Sequence, residues 1–224
     1  MNILEIEGLR KSYRTPESSI QTVVDIASFS VPVGSQIALY GISGTGKTTF
    51  LNLIAGILRP DAGKILLDGW DMASHGESAR DAMRAKTVGY IFQTFNLLQG
   101  YTALENVTLA MMFGSGPDMD FARRLLDRVG LQDRRSYLPR QLSAGQQQRV
   151  AIARARSRSR LPVGSSASTS FGRFASAREA IALIRGLCAE NGASLLIVSH
   201  DLEILRQFDT KISLADINRG GSAA

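Results

Sequence analysis

A single cysteine, Cys188, leaves this 224-residue chain without an internal disulfide. No apolar run approaches the ~20 residues that cross a bilayer. The best stretch, Leu51 to Leu58, is broken by Asn52 and Gly56. The N-terminus, Met-Asn-Ile-Leu-Glu-Ile-Glu, carries acids where a secretory signal is basic and then apolar. These absences predict a protein made and kept in the cytosol, reaching any membrane only through a partner. A further absence is local: no acid occurs between residues 156 and 173, a segment that holds Arg156, Arg158, Arg160 and Arg173. The net charge of +6 and a pI of about 9.8 would otherwise suggest nucleic acid. Without those four arginines the charge falls to +2, so no nucleic-acid partner is expected. The remaining composition, 44% hydrophobic and 21% charged, is that of a globular protein with a sizeable core.

Ile3 to Ile6, Val23 to Val33 and Gln36 to Tyr40 read as strands, the last a short apolar run ending at a glycine-rich turn. Lys47 to Leu58 is apolar on all sides, as a buried helix is. Further strands are expected at Lys64 to Leu67, Val88 to Phe92 and Ser194 to Val198. Helices are expected at Leu104 to Phe113, Phe121 to Val129, Gln146 to Arg156 and Ser176 to Asn191. The tail from Arg219 to Ala224 is expected to fray. Strands alternating with helices imply a largely parallel sheet covered on both faces. The helical middle implies an inserted subdomain.

Gly41-Ile-Ser-Gly-Thr-Gly-Lys-Thr48 fits G-x-x-x-x-G-K-[ST], with a strand before it and a helix after. A triphosphate is a dense negative charge, and successive backbone N–H groups must point inward at it. Glycines stand where a side chain would block that approach, and the helix start adds its positive dipole end. The nucleotide-contact candidates are Gly41, Ile42, Ser43, Gly44, Thr45, Gly46, Lys47, Thr48 and the adjoining Thr49. The Lys47 ammonium is expected on the β- and γ-phosphates. The Thr48 hydroxyl is expected on Mg²⁺, which prefers oxygen donors. The loop by itself says only that the ligand is a nucleotide such as ATP or GTP.

Further along stands Leu142-Ser-Ala-Gly-Gln-Gln-Gln-Arg-Val150. Ser143 offers a hydroxyl and Gly145 a bare N–H at the start of a helix, a second anion site. An ordinary helix cap by Ser143 explains the serine but not the whole string. With this motif the chain resembles the ATP-binding subunits of ABC transporters, whose signature usually reads Leu-Ser-Gly-Gly-Gln. Here Ala144 replaces the first glycine, a mild change unless that position is left-handed.

The resemblance runs from Leu4 to Asn218. It implies an α/β P-loop fold, a single ABC-type nucleotide-binding domain with an N-terminal antiparallel β portion. Residues 1–93 and 155–224 would form the α/β core, and 94–154 an inserted α-helical subdomain. It implies ATP and Mg²⁺ as cofactors, a transmembrane permease subunit as partner, and a second ATP-binding subunit, a homodimer being expected. In such a dimer Ser143 and Gly145 complete the opposite subunit's ATP site. The protein would then sit in the cytoplasm, peripheral on the inner face of the membrane through its partner. By the same resemblance Gln93 is the Gln-loop residue that contacts Mg²⁺ or the attacking water. His200, in Val-Ser-His-Asp201, is the switch histidine at the γ-phosphate. Tyr13 is the aromatic that stacks on adenine, with a half-buried strand aromatic as the plain alternative. Gly89-Tyr-Ile-Phe-Gln-Thr-Phe-Asn-Leu-Leu98 and Leu104-Glu-Asn-Val107 look closest to the lipoprotein-releasing and macrolide-export branch. There Phe95, Leu97 and Leu98 would meet the membrane subunit, unless they are core.

One segment breaks the resemblance. The family expects an apolar strand ending in Asp then Glu, which hold Mg²⁺ through water and orient the attacking water. By length, Ser166 and Ala167 stand at those positions. Pro162 and Gly164 fall where a central strand should run and tolerate one poorly. The Ser- and Arg-rich composition of 156–173 reads as a linker. Three explanations compete: natural degeneration to an ATP-binding pseudoenzyme, an adapted regulatory insert, and a pair of compensating reading-frame errors in the gene or in the recorded sequence; the abrupt edges, equal length and odd composition favour the last. The expected function is the ATP-binding subunit of an exporting or releasing transporter, with hydrolysis impaired. The alternative is an ATP-gated regulatory protein without transport. A P-loop kinase would leave Leu142 to Val150 without purpose.

Overall fold

The computed structural model describes residues 1–42, 44–91, 95–112, 116–157, 161–165 and 177–220. The chain opens with two long antiparallel strands, β1 (Asn2–Arg14) and β2 (Ile20–Pro32). Their buried residues follow the strand alternation with breaks: Ile3, Leu4, Ile6 and Leu9 on β1, where Gly8 turns left-handed at φ 57°, and Val24, Ile26, Phe29 and Val31 on β2. Strand β3 (Gln36–Tyr40) follows, and after the glycine-rich turn α1 (Lys47–Ile54). Next come β4 (Ala62–Leu67), which pairs antiparallel with β1, and the short β5 (Trp70–Asp71). The first sheet is thus ordered β2-β1-β4-β5.

The second sheet is parallel. Its strands are β3, β6 (Val88–Ile91), β7 (Leu161–Ser165), β8 (Leu195–Ser199) and β9 (Thr210–Ser213), in the order β6-β7-β8-β3-β9. All five residues of β8 are buried because both faces of the sheet are covered. Leu195 and Ile197 face one core, together with Ala38. Leu196 and Val198 face the other, together with Ile37 and Leu39. That second core also holds α1, with Phe50 packed edge-on to Phe29 at 5.7 Å, and the first sheet. The first core holds the buried faces of α3 (Ala103–Met112), α4 (Met119–Arg128), α5 (Ala144–Arg156) and α6 (Ala177–Glu190).

Several expectations need correcting. Helix α1 stops at Ile54, not Leu58, because Gly56 turns left-handed at φ 66°. A Cβ there would lie 2.4 Å from Met72 Cε. Helix α2 (Glu77–Thr87) was not foreseen: it buries only Arg80 and Thr87 and so carries no apolar stripe. The short α7 (Leu202–Leu205), strand β9 and α8 (Leu214–Ile217) were also missed. The tail does not fray at Arg219 and Gly220, since Arg219 N–H donates to Asp25 C=O at 2.8 Å and Gly220 N–H to Asn218 Oδ1 at 3.1 Å.

The largest correction concerns the strand that Pro162 and Gly164 seemed to forbid. Strand β7 forms, between β6 and β8. Pro162 stands opposite Gly89 of β6, but the register with β8 begins only at Val163. The residue without an N–H therefore sits at the strand's entry, before it acquires its second neighbour. Val163 is fully buried in the core that holds α1.

Candidate functional site

The loop between β3 and α1 lies at the C-terminal edge of the parallel sheet. Gly44 and Gly46 are both left-handed, at φ 86° and 82°. Gly46 also has no room for a side chain, because a Cβ would lie 2.7 Å from the Val23 carbonyl oxygen. It is the N-cap of α1, whose first residue is Lys47. The Lys47 ammonium folds back over the loop, donating to the Gly41 carbonyl at 3.0 Å and to the Ile42 carbonyl. Partial burial lowers the pKa of Lys47 from its ordinary value. Thr45 Oγ1 donates to Ile42 C=O at 2.9 Å and so closes the turn. Thr48 is exposed and Thr49 half-buried on the first turn of α1. Ser43 lies outside the described residues.

The neighbouring strands bring other candidates to the same edge. Tyr40 is registered against Ser199 on β8, so Gly41 and His200 follow paired residues of adjacent parallel strands. His200 is exposed, and Asp201 behind it caps α7 by accepting from Glu203 N–H at 2.9 Å. Ser165, the last residue of β7, stands opposite Val198. Ser166 and Ala167 lie outside the described residues, as does Gln93.

Tyr13 is 41% exposed near the end of β1, opposite Gln21 and two residues along β2 from Val23. The Lys11 ammonium lies 5.7 Å from its ring centroid. Ser143 and Gly145 are placed elsewhere. They begin α5, whose buried face belongs to the core on the opposite side of the sheet from α1. Ser143 caps that helix in a reciprocal box: Ser143 N–H donates to Gln146 Oε1 at 2.9 Å, and Gln146 N–H to Ser143 Oγ at 3.3 Å. Ala144 is the first helical residue and not left-handed, so its methyl is tolerated where the family has glycine.

Of the three apolar residues proposed to face a partner, Leu97 is 7% exposed and belongs to the core, Phe95 packs against it, and Leu98 is 48% exposed. Two polar residues were missed. Arg154 of α5 donates to the carbonyls of Phe95 and Asn96. Asn218, buried after α8, donates to the Thr45 carbonyl of the loop. Neither lies in a motif, and both partners are remote in sequence, so no local signal marks them.

Comparison with known proteins agrees with this fold. The ABC transporter family model matches residues 24–160. The chain is 36% identical over 208 residues to the lipoprotein-releasing system ATP-binding protein LolD of Chromohalobacter salexigens, covering 89% of this chain and 85% of that protein. It is 34% identical to the macrolide export ATP-binding/permease protein MacB of Rhodopirellula baltica over 96% of this chain, but spans only 32% of that longer protein. Among solved structures, the ATP-binding cassette MJ0796, dimeric in a post-hydrolysis state with ADP and Pi, superposes with a TM-score of 0.81 at 27% identity over 94% of this chain and 93% of that one. No helix among the described residues is long and apolar enough to cross a membrane. With a phosphate-type loop on the sheet edge, a signature string capping α5, and these matches, the chain belongs to the ABC transporter family of ATP-binding cassettes.

Proposed function

We propose that this chain is the ATP-binding subunit of an exporting or releasing transporter, working at the inner face of the membrane through a permease partner. ATP binds across Gly41 to Thr49 with Lys47 on the β- and γ-phosphates, and Tyr13 stacks on adenine. Thr48 and Gln93 hold Mg²⁺, and His200 meets the γ-phosphate. Ser143 and Gly145 close the ATP site of a second ATP-binding subunit, with 94–154 as the helical subdomain that carries them. The observation that carries this reading is the loop itself: left-handed Gly44 and Gly46, with Lys47 at the head of α1, on the sheet edge that also ends in His200.

The chemistry of the donor set restricts hydrolysis more than binding. Thr48 offers an oxygen of the kind Mg²⁺ takes. Ser166 and Ala167, at the positions where the family has Asp and Glu, offer no carboxylate to hold the ion's waters or orient the attacking water. Binding without useful turnover is expected, and this favours an ATP-gated regulatory role as the second reading. Titrating ATP and following phosphate release tests both. Wild type should bind ATP, Lys47→Ala should lose most of that affinity, and the double variant Ser166→Asp/Ala167→Glu should raise turnover at least tenfold. Unchanged affinity in Lys47→Ala would refute the assignment. Wild-type turnover within the usual enzyme range of ~1–10³ s⁻¹ would refute the impairment. Co-purification with a membrane subunit separates transport from regulation.

A further inference from the structure

Asn218 is 7% exposed and uses its carboxamide fully. Its Oδ1 accepts from Asp25 N–H at 2.7 Å and from Gly220 N–H at 3.1 Å. Its Nδ2 donates to the Val23 carbonyl at 2.9 Å and to the Thr45 carbonyl at 3.2 Å. Two donors and two acceptors are thereby matched, and only one orientation of the amide satisfies all four. Two of the bonds, with Asp25 and Val23, seat the chain's last described turn on β2, and a third, with Gly220, closes that turn on itself. The fourth reaches into the phosphate loop.

The packing around this amide is close. A Cβ on Gly46 would lie 2.7 Å from Val23 O, and a Cβ on Gly220 would lie 3.0 Å from Val23 C and from Val24 N. Gly46 presses on the carbonyl of Val23, and Gly220 on the peptide that joins Val23 to Val24. The peptide joining Thr45 to Gly46 is trans, so its C=O and N–H point in opposite directions. Asn218 holds the carbonyl end toward β2. The Gly46 N–H must then point away from β2, and the direction of that amide is what a phosphate-cradling loop depends on.

We propose that Asn218 is a positioning residue for the phosphates of a nucleoside di- or triphosphate. It locks the Thr45–Gly46 peptide plane and so makes residues 218–220 part of the nucleotide site. The inference rests on the reading that the loop binds phosphate. Asn218→Asp keeps the shape but loses both donors, and sets a carboxylate against the Val23 and Thr45 carbonyls. Asn218→Ser removes the reach to Thr45 with less electrostatic disturbance.

The test uses the full chain and measures ATP and ADP affinity by calorimetry, with thermal midpoints recorded alongside. The control is Leu125→Ala, a cavity in the helical core remote from the loop. The expected result is a tenfold or greater loss of affinity for both nucleotides in Asn218→Asp and a smaller loss in Asn218→Ser. Leu125→Ala should lower the midpoint without moving affinity. If Asn218→Asp does not fold, Asn218→Ser decides alone. An Asn218 variant with a lowered midpoint and affinity within twofold of wild type would overturn the positioning role and leave the loop's reading intact. A wild-type chain that fails to bind ATP would overturn both.

Discussion

The guanidinium of Arg154, on α5, donates to the carbonyl of Asn96 at 2.6 Å and to that of Phe95 at 2.5 Å. Those two residues are left-handed in succession, at φ 46° and 55°. A left-handed non-glycine residue costs about 1–2 kcal/mol, so this turn persists because something remote holds it. Burial lowers the Arg154 pKa from its ordinary value, but an arginine stays charged throughout the accessible range. Charged hydrogen bonds of this kind contribute about 1.5–3 kcal/mol each. Arg154→Met should therefore destabilise the protein by about 2–3 kcal/mol in urea unfolding. Arg154→Lys should recover only part, because an ammonium lacks the planar fork that reaches two carbonyls. Equal stability of the Met and wild-type proteins would show that the turn holds itself.

The two left-handed glycines of the phosphate loop should respond differently to the same substitution. A Cβ at Gly44 meets nothing within 4 Å, whereas at Gly46 it meets the Val23 carbonyl at 2.7 Å. Gly44→Ala therefore carries only the left-handed strain, about 1 kcal/mol. Gly46→Ala carries that strain and must also displace the backbone of β2. Urea midpoints should rank wild type, Gly44→Ala, Gly46→Ala in falling order, and ATP affinity should fall most in Gly46→Ala. A reversed order in either measurement would contradict the contact.

The range of the interactions decides how much of the fold and the site is legible in the sequence. The loop, the signature string and β8 were legible because each is a local pattern: glycine spacing, a capping serine, a continuous apolar run. Strand β7 was not. Arg156 to Arg173 reads as a linker, yet residues 161–165 form a strand between β6 and β8, with Val163 and Gly164 paired on both sides, because an existing sheet supplies neighbours that composition cannot announce. Asn218 was hidden for the same reason, since its partner Asp25 is 193 residues away. Helix α2 was missed for want of an apolar stripe. Ser143 reads both as a cap and as an anion ligand, and the structure displays the cap.

Lys47 separates function from stability. Burial disfavours its ammonium and lowers its pKa, so the folded state binds fewer protons than the unfolded chain just below 10.5. In that window folding gains stability as pH rises. At neutral pH the partial desolvation of this charge opposes folding. Lys47→Met removes the charge and keeps most of the length, so its thermal midpoint at pH 7 should equal or exceed that of wild type while ATP binding is lost. ATP affinity of the wild type should also weaken in alkaline solution before the ordinary lysine range is reached. A Met variant that binds ATP normally would contradict the role assigned to the ammonium.

Cys188 offers a probe of the opposite core. It is fully buried on α6, among the side chains that pack under the helices, and burial pushes its pKa up to about 11. The nearby Arg156 charge offsets this only in part. At pH 8 almost none of the native thiol is ionised, and the thiolate is the reactive form. Labelling by a disulfide reagent should be slow in buffer and immediate in urea, its native rate reporting opening of α6 from the sheet. The same shift links stability to pH. The unfolded thiol ionises near 9.0, the folded one only near 11, so the folded state holds the extra proton between them. This group's contribution to stability is present below pH 9 and is lost as pH climbs toward 11. Cys188→Ala should lower stability at pH 7 through the small cavity it leaves, and should flatten the alkaline decline. A wild-type thiol labelled at pH 8 as fast in buffer as in urea would mean that this face of α6 is open.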